Sequence, residues 1–104
     1  MKVAIGLAGL PRNIRQSINN YKKHLFEGYD VDIFICASEQ NKNLDLYEQY
    51  TKDSKIVEFP PTPECYKPWF YRKFKCMEMI KNYEISKEIS YDYVLLTRFD
   101  LMFK

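Results

Sequence analysis

KVAIGLAGLPRN, residues 2–13, decides the fold. Its first eight residues form a short, continuous apolar run closed by glycine, which reads as a strand buried on both faces. Pro11 then stands near the start of a helix, where its missing N–H costs little. Ile14, Ile18, Tyr21 and Leu25 repeat at helical spacing as far as Gly28, which stops the helix. A buried strand that runs straight into an amphipathic helix predicts a crossover to a parallel neighbour.

The rest of the chain repeats that alternation. YDVDIFICAS (29–38) is a second buried strand, and residues 43–52, with Leu44, Leu46, Tyr47 and Tyr50, read as a short helix. KIVEF (55–59) reads as a third strand. Four of the five prolines then fall in PPTPECYKP (60–68), a stiff loop, because each proline fixes φ and removes a donor. WFYRKFKCMEMIKNYEISKEI (69–89) predicts a long helix with Phe70, Phe74, Met77 and Ile80 on its apolar stripe, and Trp69 beside them. YDYVLLTRF (91–99) is the last strand. The order β-α-β-α-β-α-β predicts one α/β domain over residues 1–104, a Rossmann-like half with a four-stranded, mostly parallel sheet covered by helices on both faces.

Composition narrows the function. The chain has 104 residues, 46% of them apolar and 16% aromatic, which fits a globular protein and not a disordered tail. Sixteen Lys and Arg against fourteen Asp and Glu leave +2, which argues against a dedicated nucleic-acid binder. The strand order also lacks the paired central strands of an RNA-recognition sheet. The distribution of charge is less even than its sum. Residues 1–26 carry Lys2, Arg12, Arg15, Lys22 and Lys23 without an acid, and 65–77 carry Lys67, Arg72, Lys73 and Lys75 without one. Two readings follow: solvated helix faces, or two arms of a site for a small anion such as pyrophosphate. Cys36, Cys65 and Cys76 are widely spaced and odd in number, the pattern of reduced thiols rather than a disulfide framework or zinc site. With no charged-then-apolar leader and no apolar run able to span a bilayer, a cytoplasmic protein is expected.

Ligands of open parallel sheets bind beyond the carboxyl ends of the strands. Two such ends carry chemistry. In GLAGLPRN (6–13), Gly6 and Gly9 allow close backbone approach, a helix N-terminus follows, and Arg12 can grip a phosphate. The spacing is neither a dinucleotide fingerprint nor a P-loop, so an ordinary glycine turn is the competing reading. In TRFD (97–100), Arg98 and Asp100 leave the strand end together. A carboxylate there suits a hard divalent cation; the competing reading is a surface ion pair. His24, the one histidine, sits near a helix end, where a cation complements the dipole.

Taken together, KVAIGLAGLPRN, DVDIFICAS, WFYRKFKCMEMI and YDYVLLTRFDLMF resemble the N-terminal half of GT-A-type glycosyltransferases of bacterial polysaccharide clusters and large viruses, with R-x-D in place of D-x-D. The resemblance implies a nucleotide-sugar donor and Mn²⁺ or Mg²⁺. It assigns Gly9 and Arg12 to the turn approaching the nucleotide, Asp100 to metal and diphosphate, Arg98 to the preceding basic position, and Lys73 to the lysine of the third helix. No base or acceptor site is assigned, so donor binding with little or no turnover is expected, and the chain reads as half of a transferase. The alternative is a non-catalytic interaction module. In either case LMF (101–103) beside an open sheet edge predicts a cover, either a second copy or a C-terminal half.

Overall fold

A computed structural model describes residues 2–9, 11, 13–26, 28–56 and 68–99, with backbone alone for Leu25 and 68–70. The apolar run at the start is strand β1, Lys2–Gly9, buried along nearly its whole length. Helix α1, Ile14–Tyr21, follows and unwinds into a π turn over Lys22–Phe26. Strand β2 is Asp30–Ala37. A 3-10 helix over Lys42–Tyr50 leads into β3, Thr51–Ile56. Helix α2, Pro68–Lys87, and strand β4, Tyr93–Thr97, complete the described chain.

The four strands form one all-parallel sheet in the order β3-β2-β1-β4. β1 lies at its centre, in register with β2 from Lys2↔Asp30 to Gly9↔Ala37 and with β4 from Val3↔Tyr93 to Leu7↔Thr97. This is the expected Rossmann-like α/β arrangement. The pleat sends alternate side chains to opposite faces, so the apolar runs of β1 and β2 feed two cores. Val3, Ile5, Leu7, Val31, Ile33 and Ile35 pack against Ile14, Ile18 and Tyr21 of α1, with Tyr47 and Phe99. On the other face Ala4 and Phe34 pack against Met79 and Ile80 of α2, with Tyr91.

Gly6 lets α2 lie close to the sheet. A Cβ there would stand 2.7 Å from Leu96 Cδ2 and 3.3 Å from Cys76 Cβ. Gly6→Ala is therefore expected to destabilise the fold by about 1–3 kcal/mol, read as a lower urea midpoint. An unchanged midpoint would mean that Leu96 simply turns aside.

Two boundaries differ from the sequence reading. β3 occupies 51–56 rather than 55–59, and the preceding helix is of 3-10 type and ends at Tyr50; residues 57–59 lie outside the described residues. The start of β3 carries no strand signal in the sequence because Lys52 to Lys55 are polar and exposed. Backbone pairing to β2 makes it a strand, and charges on an edge of this kind deter further pairing.

The phase of α2 also differs. Its sheet-facing side carries Arg72, Cys76, Met79 and Ile80, whereas Phe74 is 56% and Met77 53% exposed. Of the expected stripe only Ile80 is buried among the described side chains; those of Trp69 and Phe70 lie outside them.

Candidate site at the carboxyl edge of the sheet

β1 leads into α1 on one face of the sheet, and β4 is reached from α2 on the other. β1 and β4 are neighbours, so the turn after β1 and the segment after β4 lie side by side at the carboxyl edge of the sheet, the usual ligand position in such sheets. Gly9 closes β1 with φ +110°, and a Cβ on it would meet none of the described residues within 4 Å. That φ favours glycine.

Hydrogen bonds hold this edge in place. The Ser38 N–H donates to the Gly9 carbonyl (2.8 Å), and Asn41 Nδ2 donates to the Pro11 carbonyl (3.1 Å), so the turn after β1 is tied to the loop after β2. On the α1 face, two buried hydroxyls of α1 fix the segment after β4. Ser17 Oγ donates to the Phe99 carbonyl, and Tyr21 Oη donates to the Arg98 carbonyl at 3.1 Å. The Arg98 backbone is thus anchored while the residue stays exposed.

The electrostatics suit an anion. Asn13, at the N-cap of α1, has φ 53° and ψ 34° and makes no side-chain capping bond. First-turn N–H groups of a helix lack intrahelical partners and carry the positive end of its dipole. Neither α1 nor α2 has an acid in its first turn. A cavity of about 360 Å³ opens nearby, between the sheet and the 3-10 helix; it is lined by Asn41, Asp45, Glu48, Thr51 and Ser54 among others. Its carboxylates repel phosphate and suit hydroxyl donors instead.

Of the expected site residues, the structure brings Gly9 and Arg98 to the ends of adjacent strands. Lys73 is half-buried on α2. Arg12 and Asp100 lie outside the described residues, as does LMF (101–103). His24 is exposed in the π turn, at the end of α1 remote from this edge. Among the described residues no group of three or more His, Cys, Asp or Glu is placed to hold a metal, so they do not by themselves fit Mn²⁺ or Mg²⁺.

One basic residue stands closer to the sheet than the sequence suggested. Arg72 is only 8% exposed, and its positive charge helps lower the pKa of the Cys36 thiol at the end of β2. Its spacing of four from Cys76 was the available signal, once the helix phase is known.

The fold defines a Rossmann-like α/β protein. No known protein family, curated protein or solved structure matches the chain. Among the described residues no helix is long and apolar enough to cross a membrane.

Proposed function

We propose that this chain binds the nucleotide-sugar donor of a glycosyltransferase-like reaction, with the donor diphosphate at the carboxyl edge of the sheet beside β1 and β4. The observation that carries the reading is the presence of three features at the carboxyl ends of two adjacent strands: the positive-φ Gly9 and the acid-free N-terminus of α1 after β1, and Arg98 after β4. Backbone N–H groups and a guanidinium aimed at a diphosphate stabilise the charge that collects on it as a glycosidic bond breaks. The sugar component of the proposal rests on the resemblance of the four quoted segments. A divalent cation would neutralise part of the same charge, but the described residues do not furnish its site and no step here depends on it. They offer no base for an acceptor either, so binding without appreciable turnover is the expected behaviour.

A second reading, a non-catalytic module that pairs with another copy, is favoured by β4. Among the described residues this strand pairs with β1 alone and exposes Tyr93 and Val94. The two readings part on one experiment, calorimetric titration with UDP and GDP, with and without Mn²⁺. The donor reading expects binding by the wild type, weakened about ten- to a hundredfold in Arg98→Ala through loss of a charged hydrogen bond. Asp100→Asn tests whether any Mn²⁺ dependence passes through that residue. No binding by the folded wild type would overturn the donor reading and leave the module.

A further inference from the structure

Cys36 and Cys76 come from distant parts of the chain and share one small core. Cys36 is the penultimate residue of β2, and Cys76 lies on the sheet-facing side of α2. Both are fully buried, together with Ala8. The close approach of α2 over Gly6 sets Cys76 down on the sheet. Its Sγ is 3.6 Å from the Leu7 carbonyl oxygen and 3.9 Å from that of Phe34, so the sulfur lies between β1 and β2. Phe34 precedes Cys36 by two residues, which places the Cys36 side chain on the same face, one pleat further along. There Cys36 and Cys76 share one small buried cluster with Ala8.

The two thiols are not equivalent. The neighbouring Cys76 draws the Cys36 pKa down, aided by the charges of Arg72, Lys55 and Lys75. Cys76 is pushed far up by its Cys36 neighbour and by burial. A thiolate is the reactive form of cysteine, so Cys36 is the better nucleophile and Cys76 the neighbour placed to resolve it.

We propose that Cys36 and Cys76 form a reversible disulfide that clasps α2 to β2 when the protein meets hydrogen peroxide. The Cys36 thiolate attacks one peroxide oxygen and the O–O bond breaks. The departing hydroxide takes up a proton and leaves as water, and Cys36 becomes a sulfenic acid. The Cys76 sulfur then attacks the Cys36 sulfur. The S–O bond breaks, and the released oxygen leaves as a second water, carrying the Cys76 proton. Two thiols thereby lose two electrons and two protons, and the peroxide takes up both. A dithiol reverses the clasp by thiol–disulfide exchange. The clasp lies two residues before Ser38, whose N–H holds Gly9, so it fastens the strand that supports the carboxyl edge. It stands independently of whether that edge binds a diphosphate.

The test uses the reduced wild-type chain, treated with hydrogen peroxide, then denatured and alkylated with N-ethylmaleimide. The chain has three cysteines. The proposal expects a single adduct, on Cys65, and peptide mapping that joins the Cys36 and Cys76 peptides. Dithiothreitol should restore all three adducts, and Cys65→Ser should oxidise in the same way. Three adducts after peroxide, oxygen addition at Cys36 without a crosslink, or a link through Cys65 would each overturn it. The native contact should also make the link form at least about tenfold faster than in urea-unfolded chain. Equal rates would show that the fold does not direct the reaction, which also overturns the proposal.

Discussion

Phe34→Ala is expected to remove about 3–5 kcal/mol of stability, a large share of what a domain of this size possesses. Phe34 is fully buried at the middle of β2 and packs with Ala4, Met79 and Ile80. Its ring meets two tyrosines edge-on, Tyr83 at 5.5 Å and 71° and Tyr91 at 6.1 Å and 86°. Aromatic pairs in this geometry add to what burial alone contributes. The site cannot easily collapse. β2 is held between β1 and β3, and the register partner of Phe34 on β1 is Gly6, which has no side chain to move into the void. Urea unfolding of the wild type and the variant measures the loss. A loss below about 2 kcal/mol would mean that α2 settles onto the sheet when the ring is gone.

Alkali is expected to unfold the protein through Tyr47 and Tyr91. Burial pushes the phenol pKa of Tyr47 far up, with a smaller contribution from Tyr21. Tyr91 is pushed up by burial first, and then by its bond to the Asp32 carboxylate, to which Oη donates at 2.6 Å. In the unfolded chain both phenols ionise near pH ~10. Folded-state pKa values above the unfolded ones mean that the stabilisation is complete below about pH 10 and is lost as pH rises further, because the unfolded state then releases protons that the folded state retains. The expected slope is about 1.4 kcal/mol per pH unit for each tyrosine, hence roughly 2.7 for the two together.

Tyr47→Phe should halve that slope and cost little at neutral pH, because the buried Tyr47 hydroxyl has no hydrogen-bond partner to lose. Tyr91→Phe should also halve it, but at neutral pH it strips the buried Asp32 of its donor. Lys52, 4.0 Å away, is left to hold that carboxylate, and a cost of about 1–3 kcal/mol is expected. Urea midpoints between about pH 8 and pH 11 check the profile. A flat one would mean that both phenols reach solvent in the folded state.

Different residues were legible to different degrees. Gly9 and Arg98 stood out in the sequence because a glycine turn and a charged strand end mark carboxyl edges in any α/β chain. Arg72 and the Cys36–Cys76 pair did not. Their meaning depends on which side of α2 faces the sheet, and α2 is apolar on two sides: Cys76, Met79 and Ile80 are buried, while Phe74, Met77 and Ile85 are exposed. Periodicity alone cannot choose between two such stripes. The start of β3 was hidden for the opposite reason. Its residues carry almost no apolar signal, and its conformation is imposed by the neighbour it pairs with.

By itself the sequence determined the α/β class. Short apolar runs closed by small residues, such as 3–9 and 33–37, read as strands buried on both faces, and the helical spacing of Ile14, Ile18 and Tyr21 specifies the crossover between them. These signals are local, carried by neighbours along the chain. The tertiary structure alone decided the strand order that puts β1 beside β4, the depth to which α2 sinks over Gly6, and the hold of Ser17 and Tyr21 on the backbone after β4. Each of those joins residues far apart in sequence. Such contacts become favourable only when the chain closes around a shared core, so no short segment records them.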